Sequence, residues 1–250
     1  MKRFIFILLL LTMCAAPEQQ GGHNFTLVSW VDISDPKVTG GSIITLQNGD
    51  FYAGISYQGG EETSWQPVSS AGNLERNSFE SENNTRQIEG LVQVAAVYAN
   101  QEIRIYQNGE LIATYSRGHR EDLLSGNDNF VLFGSSHFKG DAFIAGSIED
   151  ARIYGNALTM DQLKNLVPDQ ASETEPYAWW DFEDEQVKDK QGTFIYHNVG
   201  PAATGINDGK LVLKDWGRLI ATREYTPQTP SWPENPPDNW LTYHLAHPGP

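Results

Sequence analysis

Short segments rich in β-branched and aromatic residues recur along most of the chain, and Gly, Asp, Asn and Pro separate them. Segments of this length and composition are typical of β-strands. Residues 58–90 are polar and weakly patterned, so we predict long loops there that contain Trp65. The predicted strands are 25–31, 41–46, 51–57, 91–98, 102–107, 110–115, 130–134 and 143–154.

The clearest hairpin lies at residues 102–115, around the dipeptide Asn108-Gly109. These two residues tolerate the positive φ angles that a type I′ turn needs at both central positions. Ile103 and Ile105 alternate with polar neighbours, as expected for a half-buried strand.

One convincing helix is predicted, near residues 159–166. Thr159 can cap its start, and Gln162 follows at the spacing of a capping box. Pro168 ends the segment. Many short strands with almost no helix predict an all-β fold, an antiparallel β-sandwich.

The charge balance excludes one class of function. Lys and Arg number 17 against 32 Asp and Glu, which gives a formal net charge of −15. Such a chain is poorly suited to gripping phosphate backbones, so we expect no nucleic-acid partner. The single cysteine excludes an intrachain disulfide and a zinc site built from cysteines.

The first residues are typical of an export signal. Residues 1–13 combine a basic start with an apolar run that is too short to cross a bilayer. The phrase ending at Cys14 resembles a bacterial lipobox, which implies lipidation of this cysteine. Cleavage after Ala15 or Ala16 is the alternative. We therefore expect an exported protein at a bacterial surface, in contact with membrane only through a lipid anchor.

Four phrases follow one another along the chain: FTLVSWV at 25–31, VAAVYANQEIRIYQNGELIATY at 94–115, FVLFGSSHF at 130–138 and GSIEDARIYGNALTMDQLKNL at 146–166. In this order they resemble the laminin-G-like domains of the concanavalin-A-like jelly-roll family. The resemblance covers about residues 24–167 and implies a jelly-roll sandwich over that range.

Phrases that usually open this family appear late in the chain, at 178–194 and 206–222. Residues 177–222 therefore either dock on the first module and complete its sheets, or begin a second, incomplete module. An open sandwich would expose bare strand edges, which proteins avoid, and this favours docking.

The resemblance also implies a candidate metal site. Members of the family that bind calcium often use the neighbourhood of the closing phrase, where this chain has Glu149 and Asp150. A structural calcium ion is the cofactor that this pattern predicts. Glu and Asp are also ordinary residues on a solvent-facing strand, and this is the interpretation that we favour for both positions.

Sugar binding requires flat aromatic faces and a few fixed polar groups. Loops on a rigid scaffold favour such sites, and plain packing or surface positions are the alternative for each residue. The candidate ligand-binding residues are Tyr52, Trp65, Arg76, Asn77, His137 and Phe138.

No catalytic set is evident in the sequence. Asp181, Glu183 and Glu185 alternate and would share one face of a strand, as paired glycosidase carboxylates could. A solvated acidic strand is the alternative that we favour. The histidines are scattered and do not indicate a zinc site.

The C-terminal part suggests a longer enzyme. Residues 223–240 contain five prolines and are typical of an extended spacer. Residues 236–250 resemble the entry to the catalytic domain of levanase-like enzymes of glycoside hydrolase family 32. The expected function is a non-catalytic carbohydrate-binding or accessory module beside a catalytic domain that acts on fructans or similar polysaccharides. A surface adhesion or protein-interaction module without a sugar ligand is the alternative.

Overall fold

The computed structural model describes residues 24–35, 37, 39–59, 64–70, 74, 76–77, 90–117, 122–125, 129–136, 144–183, 190–191, 194–199, 205–213 and 218–223. The first ten strands are β1 (Phe25–Ile33), β2 (Thr39–Asn48), β3 (Phe51–Gln58), β4 (Ser64–Ser69), β5 (Arg76–Asn77), β6 (Val92–Ala99), β7 (Glu102–Gln107), β8 (Glu110–Ser116), β9 (Asn129–Phe133) and β10 (Gly146–Tyr154). They are followed by α1 (Met160–Lys164), β11 (Ala178–Trp180), β12 (Phe194–Val199), β13 (Gly205–Asn207), β14 (Lys210–Leu213) and β15 (Arg218–Arg223).

The described strands form two antiparallel sheets, so the predicted all-β sandwich is confirmed. The nine-stranded sheet has the order β13-β14-β10-β1-β6-β7-β8-β5, and β11 pairs with β10 beside this path. The six-stranded sheet has the order β12-β15-β9-β2-β3-β4. Most neighbours are distant in sequence, so the fold depends on long-range pairing.

The core lies between the two sheets and follows from alternation along each strand. Ile103 and Ile105 of β7 point inward and are fully buried. Phe133 of β9 meets Trp180 and Phe182 edge to face, with ring centroids 5.2 and 5.7 Å away. Aromatic residues from the first and last parts of the chain therefore share one core.

Residues after the helix contribute strands to both sheets. β11 and β14 pair side by side with β10, at Ala151–Ile153 and Gly146–Ile148 respectively. β15 pairs with β9 in the other sheet. Together these pairings cover strand edges of β10 and β9 that would otherwise be bare.

The predicted hairpin and helix are both confirmed. Asn108 and Gly109 have φ angles of 50° and 71° and connect β7 to β8. Helix α1 starts at a capping box in which Thr159 accepts from the backbone of Gln162 and the Gln162 side chain accepts from Thr159.

The segment around α1 covers the outer face of the nine-stranded sheet. Leu163 is fully buried there. It belongs to a second apolar cluster, outside the main core, with members on β1, β6, β7 and β10. The nine-stranded sheet is therefore buried on both faces along its middle strands.

The predicted loop at residues 58–90 is wrong in part. β4 pairs with β3 across its whole length, and β5 pairs with β8. Trp65 and Pro67 of β4 are buried and alternate with half-buried polar residues. Pro67 is tolerated because β4 is an edge strand, and its presence disguised the strand in the sequence.

Among the described residues, no helix has the length and apolar character needed to cross a bilayer. The predicted signal peptide, Cys14 and the C-terminal residues 224–250 lie outside the described residues.

Candidate functional site

Two aromatic residues flank an amide on the outer face of the six-stranded sheet. Gln47 of β2 is directly opposite Tyr52 of β3 on one side and Phe130 of β9 on the other. Residues paired in this way lie on the same face of a sheet. Their neighbours Ala53 and Val131 belong to the inner core, so the row Phe130–Gln47–Tyr52 faces outward.

The polar groups around this row are held in place by hydrogen bonds. The amide of Gln47 donates to the carbonyl of Gly49 at 2.8 Å. The hydroxyl of Ser70 accepts the backbone N–H of Tyr52 at 3.2 Å, and the Ser70 N–H donates to the Tyr52 carbonyl at 3.0 Å. Asn48 at the end of β2 donates to the carbonyl of Ser125 at 3.1 Å.

The row Phe130–Gln47–Tyr52 lies at the boundary between a buried part and a partly exposed part of this outer face. Thr45 and Leu132, one step further along the same face, are fully buried. Tyr52 and Phe130 are only half-buried. Phe51, at 52% exposure, precedes Tyr52, and strand alternation turns it to the opposite side of β3. Half-exposed rings at a rim of loops can stack on a flat ligand.

The predicted sugar-binding residues do not all meet at this row. Tyr52 is part of it. Trp65 is only 2% exposed and packs on Tyr57, with ring centroids 5.1 Å apart in the core, which corresponds to the packing alternative. Arg76 and Asn77 form β5, an edge strand of the other sheet. His137 and Phe138 lie outside the described residues.

The sequence did not single out Gln47 and Phe130. Gln47 lies near the end of a predicted strand, and Phe130 starts another. Phe130 and Leu132 point outward while Val131 and Phe133 point inward, so both faces of β9 are apolar. Because apolar residues do not alternate with polar ones along β9, the sequence does not show which of its faces is turned to solvent. The pairing of β2 with β9 also joins residues that are far apart in sequence.

Three carboxylates gather beside β10 and include one of the two predicted metal ligands. Oxygen atoms of Glu149, Asp169 and Glu183 lie within 4.8 Å of one another. An all-oxygen donor set of this kind suits Ca²⁺ rather than Zn²⁺. Lys210 forms an ion pair with Glu149 at 2.7 Å and offsets part of the charge. The calcium prediction stays a prediction.

Asp150, the other predicted ligand, has a different environment. Arg152 donates to its two oxygens at 2.9 and 2.6 Å. Oδ2 also accepts the Asp169 backbone N–H at 2.8 Å and the Trp179 indole N–H at 3.0 Å. Burial raises the pKa of Asp150, and these donors act in the opposite direction. The carboxylate is thus engaged within the protein.

The carboxyl group of Asp169 has a raised pKa. Burial, followed by the negative charges of Asp150, Glu149, Glu183 and Asp181, raises the pKa of Asp169 to about 6. Ionising this group near neutral pH therefore costs free energy, which a bound proton or cation would relieve.

The predicted acidic strand at 181–185 does not continue as a strand among the described residues. β11 ends at Trp180, and Phe182 has a φ of 53°, which breaks the alternation. Asp181 forms an ion pair with Lys190, while Glu183 is exposed. Asp181 and Glu183 therefore do not form a row of the kind that the alternation predicted, and Glu185 lies outside the described residues.

Residues 13–164 match the family model of the concanavalin A-like lectin/glucanases superfamily, in its laminin G group, and the chain belongs to this family. No curated protein sequence matches the chain.

Several solved structures are similar in part. Domain 4 of a GH43 extracellular arabinanase from Geobacillus stearothermophilus, in complex with arabinotriose, is 15% identical, with a TM-score of 0.38 over 58% of this chain and 66% of that chain. A putative carbohydrate binding protein from Bacteroides ovatus is 15% identical, with a TM-score of 0.41 over 84% of this chain and 56% of that one. The CBM40 of a Ruminococcus gnavus IT-sialidase, bound to α2,3 sialyllactose, is 20% identical, with a TM-score of 0.39 over 58% and 82%. The chain thus spans less than two thirds of the first two.

Proposed function

We propose that this chain is a non-catalytic carbohydrate-binding module and that the row Phe130–Gln47–Tyr52 is its contact surface. The observation that carries the proposal is the register of β9, β2 and β3, which sets the largely buried amide of Gln47, 8% exposed, between two half-exposed aromatic rings.

The chemistry of the row suits a sugar. The C–H faces of a sugar ring are apolar and stack on aromatic rings, while amides bond hydroxyl groups in either direction. The Gln47 amide is already oriented by its bond to Gly49, which lowers the entropy lost on binding. Adjacent strands are about 4.8 Å apart, so Phe130 and Tyr52 stand about 10 Å from each other across the sheet. A ligand that contacts both rings therefore needs more than one sugar unit.

The module is proposed to serve an exported bacterial glycoside hydrolase acting on fructans or similar polysaccharides. The resemblance of residues 236–250 to the entry of a levanase-like domain supports this assignment, as does the export signal. A downstream Asp-Pro-Asn phrase in the coding sequence would support the fructan assignment, and its absence would contradict it.

Lipid anchoring at Cys14 is part of the same proposal. A diacylglycerol with an added acyl chain anchors stably, whereas a single chain is marginal. Cys14→Ser should move the protein from the membrane fraction to the soluble fraction. Unchanged fractionation would contradict anchoring and leave the sugar-binding proposal intact.

A binding screen on immobilised polysaccharides, including levan, inulin and arabinan, tests the carbohydrate function. We expect retention on at least one of them, and Tyr52→Ala should weaken it about fivefold, or about 1 kcal/mol. Phe51→Ala is the matched control, since it removes a neighbouring exposed aromatic residue from the opposite side of β3. Binding to no polysaccharide would favour the adhesion or protein-interaction function.

A further inference from the structure

Among the described residues, Arg104 is a cation without an acidic partner, in a protein that is acidic overall. It lies on β7 between the buried Ile103 and Ile105, so it faces outward from the nine-stranded sheet, and it is half-buried. In the part of the chain that the structure describes, no ion pair joins it to a carboxylate, and its buried Nε has no hydrogen-bond partner. By contrast, Arg152 and Lys210 each pair with an acid.

Arg104 is flanked by an apolar residue on one neighbouring strand and by a polar residue on the other. Its cross-strand partners are Val97 on β6 and Thr114 on β8. Val97 is fully buried in the apolar cluster beneath the α1 segment, whereas Thr114 is half-buried. Two positions away on β7, the same face carries Glu102, which is exposed, and Tyr106, which is buried. Arg104 therefore lies between a buried apolar position on β6 and a half-buried polar position on β8.

A guanidinium in this position favours an anionic ligand. Arginine stays protonated in proteins, so it cannot relieve burial by losing its charge. A buried donor without an acceptor costs free energy, and each such group in a native structure calls for an explanation. A carboxylate or a sulfate can accept two parallel N–H bonds from the guanidinium, and the Thr114 hydroxyl directly opposite can donate a further bond.

We propose that Arg104 and Thr114 form a second glycan-binding point, which takes an anionic group, the carboxylate of a uronic acid or a sulfate ester. The inference rests on the proposed function only in that a glycan carries the anion. Arg104 and Thr114 lie on the nine-stranded sheet, whereas the row Phe130–Gln47–Tyr52 lies on the six-stranded sheet. The two binding points therefore act independently. The net charge of −15 repels polyanions, so binding depends on this one guanidinium rather than on a general basic surface.

Affinity measurements on the full chain at low salt test this inference. The probes are polygalacturonate for carboxylate, dextran sulfate for sulfate, and methyl-esterified polygalacturonate and dextran as their neutral counterparts. We expect wild-type protein to bind one of the acidic probes at least about tenfold more tightly than its neutral counterpart. The acidic probe that binds identifies the anion. Arg104→Gln should abolish this preference, and Arg104→Lys should retain part of it because the charge remains but the planar fork is lost.

Lys37→Gln, at an exposed turn between β1 and β2, is the control for an equal loss of charge and should leave the preference unchanged. Melting curves show whether Arg104→Gln is folded. If it is unfolded, the partial loss of preference expected for Arg104→Lys provides the test instead. An unchanged preference in folded Arg104→Gln, or no preference in wild type, would overturn the inference. Binding of neutral glycans through Tyr52 without any acidic preference would refute this inference alone, whereas loss of binding to every glycan would refute the proposed function as well.

Discussion

The guanidinium of Arg152 and the carboxylate of Asp150 form a bidentate ion pair, with N–O distances of 2.9 and 2.6 Å, and both side chains are fully buried. The Arg152 guanidinium carbon lies 4.6 Å from the centroid of the Trp179 ring and 5.1 Å from that of Trp30. Nη2 of Arg152 also donates to the Val167 carbonyl at 2.8 Å. These contacts therefore hold the segment after α1, and strand β11, against β10.

Asp150→Ala should destabilise the protein by about 3–5 kcal/mol, because it leaves the Arg152 guanidinium buried and unpaired. Urea denaturation measures this change. The double variant Asp150→Ala, Arg152→Met should be more stable than Asp150→Ala alone, since it buries no unpaired charge. A double variant that loses the sum of the two single changes would show that the pair is not coupled.

Asp169→Asn should stabilise the protein at neutral pH and have little effect in acid. The folded-state pKa of Asp169 is raised from its ordinary 3.8 to about 6. Its stabilising contribution is therefore fully present below pH 3.8 and is lost as the pH rises through 6. The advantage of the variant should grow between about pH 4 and 6 and then level off, as measured by unfolding in the presence of a chelator. Asparagine also tolerates the φ of 60° at this position.

Asp208→Asn is the matched control for this experiment. Asp208 is exposed and has a φ of 51°, close to that of Asp169. An equal gain in both variants at neutral pH would show that the general loss of negative charge, not the carboxylate cluster, is responsible.

Two glycines with positive φ allow the cost of a left-handed backbone to be measured separately from the cost of a steric clash. Gly109 has a φ of 71°, and an added Cβ would lie 3.1 Å from the Lys164 Cα of helix α1. Gly49 has a φ of 59°, with no atom within 4 Å of an added Cβ. Gly49→Ala should cost about 1 kcal/mol from the left-handed backbone alone. Gly109→Ala should cost more, and Gly109→Val more again. Equal melting temperatures for the two alanine variants would contradict the contact between the turn and the helix.

Removal of residues 168–250 should destabilise the sandwich and cause aggregation. β10 would lose its partners β11 and β14, and β9 would lose β15, which leaves two bare edges. Light scattering and thermal unfolding of a chain that ends at Val167 measure both effects. A monomer that melts like the full chain would refute the dependence of the first module on the docked strands.

The sequence was sufficient to predict the elements that depend only on residues close together in the chain. Asn108-Gly109 and the Thr159–Gln162 capping box each define a turn or a helix start within four residues, and both are confirmed. Asp150 and Arg152 are two apart on a strand and so share a face. Their third partner, Trp179, follows 29 positions after Asp150, and no local pattern indicates that contact.

The candidate site was less predictable because it depends on register between distant strands. Tyr52 could be proposed as an aromatic residue on a sheet, but its row is completed by Phe130, which β9 supplies through its pairing with β2. Trp65 was proposed as a loop residue because Pro67 and several polar residues conceal the β4 pattern. In the folded chain its large apolar surface lies in the core, opposite Tyr57.

An NMR titration of protein labelled in its aromatic rings, with a glycan that the binding screen selects, tests directly whether the row Phe130–Gln47–Tyr52 binds sugar. We expect saturable shifts of the Tyr52 and Phe130 ring signals at the same midpoint, with the signals of Phe51 unmoved. Saturable glycan binding that leaves the Tyr52 and Phe130 signals unchanged would contradict the assignment of the outer face of the six-stranded sheet as the sugar-binding surface.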